Sequence, residues 1–216
     1  MELVEGAWLN QPCYVVGGGP SLRGFKWESL IGKRTIVINR AFINLPTADL
    51  WFSEDSRVIL DLWGKQLREF KGLKVWHAIE RGAIEDVRAV DPSIKIIEQK
   101  RQDKHWSRRF SDGLSYSSNS GVGAINIAWL LGADPIYLLG FDCRADGLRV
   151  ENFHEDYKHD PMWEVGSNAV DNFLSDFTGW VHPHTKDTQI VNLVNPAFES
   201  RIECWPKMKI SEALPC

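Results

Sequence analysis

The chain has 216 residues, of which 44% are hydrophobic and 25% charged, with a formal net charge of −4. That length suits one domain with a sizeable core, and the acidic balance carries no electrostatic footprint for duplex nucleic acid. No apolar run approaches a membrane span, and the opening Met1-Glu2-Leu3-Val4-Glu5 lacks a basic, then apolar, secretory leader, so a cytoplasmic protein with no transmembrane segment and no nucleic-acid partner is expected.

The first element is the most informative. Residues 13–16 read as a short buried strand that stops abruptly at Gly17-Gly18-Gly19. Glycine lets backbone approach a ligand closely and takes positive φ without a Cβ clash, and Pro20 suits a first helical turn before Ser21. Such a strand end can turn N–H groups outward to cradle a phosphate. A tight turn without a ligand uses the same residue types, and spacing alone does not separate the two. The loop matches neither the GxGxxG fingerprint nor the Gly-Lys-Ser/Thr phosphate loop.

Leu22, Phe25, Trp27 and Leu30 then predict a short helical turn packed on the sheet edge. A second strand is expected over 35–38, ending at Asn39-Arg40-Ala41-Phe42, and a third over 48–52, ending at Ser53-Glu54-Asp55-Ser56. From Ser56, Val58, Ile59, Leu62, Trp63, Leu67 and Phe70 recur at helical spacing as far as Lys71-Gly72. A fourth strand covers 73–76 and an edge strand 94–97. Residues 99–109 carry Lys100, Arg101, Lys104, Arg108 and Arg109 with His105 and Trp106; a solvated loop is the first reading and an anion-facing lid the second.

Ser118-Asn119-Ser120-Gly121-Val122-Gly123 is the second organising stretch. The helix that follows is apolar on nearly every face and should be buried, stopping at Gly132-Ala133-Asp134-Pro135. Asn119 and Ser120 are natural caps that could instead face an anion. A central strand over 136–140 ends at Phe141-Asp142. Strands alternating with helices argue a single-domain, Rossmann-like α/β fold with a mainly parallel sheet flanked by helices. Gly17 to Ser21, Asn39, Arg40, Asp55 and Asp142 all follow strands, where open α/β sheets bind ligands.

Beyond Asp142 the pattern loosens, so the sheet core is placed at about 11–142 and a His-containing lid and C-terminal part at 143–216. Phe153-His154-Glu155-Asp156-Tyr157-Lys158-His159-Asp160-Pro161 packs histidines and acids together. A metal site, a general acid/base site and a polar surface loop compete there; His154 and His159 are five apart, not the four of helical zinc ligands, and an acid/base histidine ranks above a metal. A helix is expected around 170–177, His182-Pro183-His184 in a Pro-broken exposed loop, and a last strand over 189–193. Cys13, Cys143, Cys204 and Cys216 show no CxxC pair, so reduced thiols are expected. The ten tryptophans are core or interface residues or stacking platforms, and exposed ones would favour a homo-oligomer.

Val15-Val16-Gly17-Gly18-Gly19-Pro20-Ser21-Leu22 resembles the opening of the bacterial lipooligosaccharide sialyltransferases. It is equally similar to a broader group that includes motility-accessory-factor glycosyltransferases and archaeal 6-hydroxymethylpterin pyrophosphokinases. Asn119-Ser120-Gly121-Val122 and Leu138-Leu139-Gly140-Phe141-Asp142 resemble the same families' Ser-Gly helix and Gly-x-Asp strand end. Ile38-Asn39-Arg40-Ala41-Phe42 and the tail from Cys204-Trp205-Pro206-Lys207 to Leu214 resemble small, often phage-encoded members. The resemblance implies a nucleotide site lined by Gly17, Gly18, Gly19, Ser21, Asn39, Ser120 and Gly121, with His154 or His159 as general base. Departures bear on the transferred sugar: Gly18 stands where sialyltransferases carry Asn, Cys143 to Phe153 offers no match for their two phosphate tyrosines (Tyr157 is the nearest), and Asn195-Pro196-Ala197 replaces their Pro-Asn-Ser.

Three functions follow as expectations. The first is a glycosyltransferase-like enzyme with a nucleotide-sugar donor, a small-molecule or glycan acceptor and no required cofactor; Arg40 and the Asn119 to Gly121 turn would hold the departing phosphate. The second is a diphosphokinase acting on a small alcohol such as a pterin, with Mg²⁺ held by Asp55 and Asp142. The third is a nucleotide-binding module without chemistry.

Overall fold

The computed structural model describes residues 2–79, 81–100, 105–115, 119–146, 149–150, 152–154 and 169–215. Strands β1 (Cys13–Val16), β2 (Arg34–Ile38), β3 (Leu50–Ser53), β4 (Leu73–Ala78), β5 (Lys95–Glu98) and β6 (Ile136–Leu139) form where β-branched and aromatic runs are bounded by Gly, Pro or polar residues. A two-residue hairpin follows, β7 (Ala145–Asp146) with β8 (Arg149–Val150), and then β9 (Ile190–Val194) and β10 (Lys207–Lys209). The main sheet has eight strands in the order β10-β9-β6-β1-β2-β3-β4-β5, and every pairing in it is parallel. The fold is therefore Rossmann-like α/β.

Two strands from beyond residue 142 join the sheet, so it is not confined to 11–142. The expected last strand is β9, and β10 lies outside it at the edge. At three residues, Lys-Met-Lys, β10 is too short and polar to show a strand period.

Side chains alternate between two cores, as a doubly covered parallel sheet requires. Val15, Ile36, Ile38, Phe52, Val75 and Leu138 face one core, packed under α3 (Ser120–Leu130), which is buried almost throughout. Val16, Val37, Trp51, Trp76, Leu139 and Leu193 face the other. That face is covered by 3₁₀ turns at Pro20–Leu22, Trp27–Leu30 and Asn39–Ile43, by a π-helical stretch Val58–Trp63 running into α1 (Gly64–Glu69), and by α2 (Ile84–Val90). The expected single helix from Ser56 is thus a π segment followed by an α one.

Near the C-terminus α4 (Ala169–Asp176) continues through a π turn, Phe177–Val181, into α5 (His182–His184), and α6 (Ile210–Ala213) closes the chain. His182-Pro183-His184 is helical and not a loop: Pro183 sits in the first turn of α5, where its missing N–H matters least. His184 stacks on Trp106 with centroids 5.8 Å apart. Trp163 lies outside the described residues, and the other nine tryptophans are buried or half-buried. The exposed tryptophans expected to favour self-association are therefore not found among the described residues. Cys13, Cys143 and Cys204 are free thiols, and no helix among the described residues is long and apolar enough to cross a membrane.

Candidate functional site

The chain runs from β1 outward to β5, then crosses back to place β6 on the other side of β1. In open α/β sheets the crevice outside the carboxyl ends of two such strands is the ligand position. Here it holds the glycine loop after β1 and Gly140-Phe141-Asp142 after β6. The two are knitted together: the N–H groups of Gly17, Gly19 and Ser21 donate to Leu139 O, Gly140 O and Asp142 Oδ2, each at 2.8 Å. A Cβ at Gly17 or Gly19 would lie 2.9 or 2.6 Å from Gly140 O, and one at Gly19 would also strike the Asp142 carboxylate. Close approach thus explains these glycines, and three loop N–H groups point inward where the sequence suggested an outward cradle. The Ser21 hydroxyl is buried beside them with no hydrogen-bond partner among the described residues.

The neighbouring strand ends supply polar groups of a different kind. Asn39 takes φ +50° directly after β2, a left-handed conformation that Asn tolerates better than most residues. Trp51 Nε1 anchors its carbonyl at 2.8 Å, and the Ser53 hydroxyl lies 2.8 Å from its Oδ1. One residue on, the Glu54 N–H donates to Ser120 Oγ at 3.2 Å, joining β3 to the first turn of α3. Asn119 is the N-cap residue of α3 by position, yet its side chain makes no capping hydrogen bond. The ring of Phe141 sits between the two halves, against both Gly17 and Gly121. Behind Glu54, its carboxylate meets His77 Nδ1 at 3.1 Å, with the two side chains 6% and 0% exposed. Burial pushes the Glu54 carboxyl up, the His77 hydrogen bond and charge oppose it, and Asp176 adds a like-charge push, for a raised value overall.

A strap crosses this edge. The Phe153 N–H donates to Gly18 O at 2.9 Å, Asn152 O accepts from Arg23 at 3.0 Å, and the Arg40 guanidinium stands 5.7 Å from the Phe153 ring centroid. Arg40 also bonds Asn44 Oδ1 at 2.7 Å. His154 is half-buried, edge-on to Phe153 at 4.9 Å and to Trp63 at 6.3 Å. The structure therefore brings Gly17, Gly18, Gly19, Ser21, Asn39, Arg40, Asn119, Ser120, Gly121, Asp142 and His154 to one edge of the sheet. His159 lies outside the described residues.

Asp55 is at the same edge, but both its carboxylate oxygens face the Arg57 guanidinium, at 2.9 and 2.6 Å. Among the described residues no three His, Cys, Asp or Glu side chains converge to hold a metal ion. The Asp55 carboxylate is already paired with a cation of the protein itself.

Comparison with solved structures gives a remote likeness. The chain is similar to the sialyltransferase CST-II, solved in complex with a trisaccharide acceptor and CMP, at 15% identity and a TM-score of 0.46, over 93% of this chain and 89% of that one. No family model matches the chain, and neither does any curated protein. A likeness this remote does not bear on chemistry, which rests on the residues themselves.

Sequence reasoning passed over Ser53, Glu54, His77 and Asn152. His77 carried a legible signal, an ionisable side chain inside the apolar strand Leu73–Ala78. Ser53 and Glu54 stood beside Asp55, whose carboxylate drew attention as a metal ligand. The basic stretch 99–109 divides: Trp106 is core, Arg108 and Arg109 are exposed, and Arg101 and Lys104 lie outside the described residues.

Proposed function

We propose that the chain is a glycosyltransferase-like enzyme that binds a nucleotide-activated sugar at the carboxyl edge of its sheet and transfers the sugar to a hydroxyl of a small molecule or glycan. One observation carries the reading. Asn39 Nδ2 and the Ser120 hydroxyl hydrogen are half-buried donors with no partner among the described residues; their residues are held by the consecutive Ser53 and Glu54, and Ser120 opens an eleven-residue helix with no side-chain cap. A site of converging donors at a positive helix end suits an acceptor-rich anion, and a nucleoside phosphate is the leaving group of sugar donors.

In this reading the Asn39 amide, the Ser120 hydroxyl, the first N–H groups of α3 and Arg40 stabilise the charge that grows on the departing phosphate. His154, strapped beside the glycine loop, takes the proton from the acceptor hydroxyl. A histidine suits that role because its ordinary pKa lies near neutrality.

The test is chromatographic detection of free nucleotide released from cytidine-, uridine- and guanosine-based sugar donors, with and without an alcohol acceptor. Wild type is expected to release nucleotide from one donor class, and His154→Ala to lose roughly 10²- to 10⁴-fold in rate while still binding the nucleotide. Release that requires a nucleoside triphosphate and Mg²⁺ would instead identify diphosphoryl transfer. Absence of release from every donor, with nucleotide binding intact, would identify a binding module.

A further inference from the structure

We infer that Ser53 is a positioning residue that fixes which end of the Asn39 amide faces the ligand, and that with the adjacent Glu54 it forms a clamp presenting two donor groups, the Asn39 amide and the Ser120 hydroxyl, to the nucleotide. The inference rests on the nucleotide-site reading above.

The argument is a count of hydrogens. A serine hydroxyl has one proton to give and lone pairs to receive with. Ser53 Oγ receives the Asp55 N–H at 3.0 Å. Two acceptors compete for its proton: Asn39 Oδ1 at 2.8 Å and Asp55 O at 3.2 Å. The first is the usual O–H···O distance and the second lies beyond it, so the proton goes to Asn39. Its Oδ1 is then tied to the protein and Nδ2 turns outward with two donors.

Glu54 does the complementary thing to Ser120. Its backbone N–H approaches the Ser120 oxygen at 3.2 Å, using a lone pair and leaving that hydroxyl's own proton for an outside acceptor. The buried contact between Glu54 and His77 Nδ1 at 3.1 Å holds the Glu54 side chain against β4. Consecutive residues at one strand end therefore set the polarity of two groups on different elements. A ligand with acceptors at both points, as a phosphate and a ribose or base carbonyl provide, meets donors in place. A ligand presenting donors there is rejected.

The experiment is a double-mutant cycle read by calorimetric titration of CMP. Ser53→Ala is expected to weaken CMP by about tenfold, the effect of a misdirected hydrogen bond at a preorganised site. In an Asn39→Ala background the same change is expected to cost less than twofold, because Ser53 acts through Asn39. Asn39→Asp accepts the Ser53 proton as before but offers no donor, so it should fold with a near-wild-type melting point and lose CMP. Ser53→Thr, which keeps the hydroxyl, should restore most of the affinity.

Equal affinity in Ser53→Ala, or an undiminished loss in the Asn39→Ala background, overturns the clamp and leaves the nucleotide reading standing. If wild type binds no CMP or other nucleotide, the functional reading falls, and ¹⁵N relaxation of the Asn39 side-chain amide decides the clamp alone. An amide ordered in wild type and mobile in Ser53→Ala supports it, and equal order in both overturns it.

Discussion

At the amino end of β4, Lys74 Nζ lies 2.6 Å from Asp91 Oδ2, and the other oxygen of that carboxylate receives the Ser93 N–H and hydroxyl at 2.9 and 2.7 Å. At the carboxyl end of the same strand, His77 and Glu54 are as deeply buried, yet His77 Nε2 has no partner among the described residues. The neighbours follow suit. Near the amino edge Asp49 is shared between Arg34 and the Thr35 N–H, at 3.0 and 2.9 Å. Near the carboxyl edge the Ser21 hydroxyl, Asn39 Nδ2 and the Ser120 proton have no partner among the described residues. A buried polar group without a partner is costly, and a nucleotide bound as proposed would supply one. The contrast is positional: Lys74, Asp91 and Asp49 hold the fold at the amino edge, whereas the carboxyl edge keeps the donors on which the proposed nucleotide site rests.

The largest effect should come from breaking the saturated edge. Lys74→Met strands Asp91 in the interior and should cost about 3–5 kcal/mol in urea unfolding, while nucleotide affinity of the remaining folded protein stays within about twofold. If affinity fell and stability did not, the division between the edges would be wrong.

Next comes Gly19→Ala. Its Cβ has no room beside Gly140 O and the Asp142 carboxylate, so overpacking of about 1–3 kcal/mol is expected, together with weaker ligand binding, because the loop and β6 move apart. A variant as stable as wild type would show that the loop is not knitted as described.

Glu54 gives a pH test. Its carboxyl value is raised above 4.5 in the folded protein, first by burial. Between that ordinary value and the raised one the folded state holds more protons than the unfolded state, so stability falls as pH rises through the window. Glu54→Gln should remove that slope, and subtracting the two stability curves isolates it from other titrations. An unchanged slope would mean that Glu54 does not titrate in this way. The smallest effect is expected at Cys143, whose thiol burial and the neighbouring Asp142 push up to about 12. It should resist iodoacetamide at neutral pH in the native protein and react only on unfolding.

Most of the sheet was legible because parallel strands covered on both faces read as apolar runs with clear stops, as in Val15-Val16-Gly17 and Leu138-Leu139-Gly140. The 3₁₀ and π segments were not, since they share the apolar spacing of an α-helix and differ only in hydrogen-bond register. β10 was missed because three residues carry no period. At the site, the coincidence of Gly17, Asn39 and Asp142 at strand ends was visible in order alone. The pairing of Ser53 with Asn39 and of Glu54 with Ser120 and His77 was not, because it links residues 14, 66 and 23 positions apart and no local pattern encodes it.

The most direct test of a ligand-binding carboxyl edge is the melting point of wild type and Asn39→Asp with cytidine, uridine, guanosine and adenosine monophosphates. A ligand that binds only the native state raises the midpoint by mass action, by about 2.7 kcal/mol of stabilisation at a hundred times Kd. The account expects at least one nucleotide to raise the wild-type midpoint, and that rise to vanish in Asn39→Asp while the ligand-free midpoints agree. No rise with any nucleotide, or the same rise in both proteins, would contradict it.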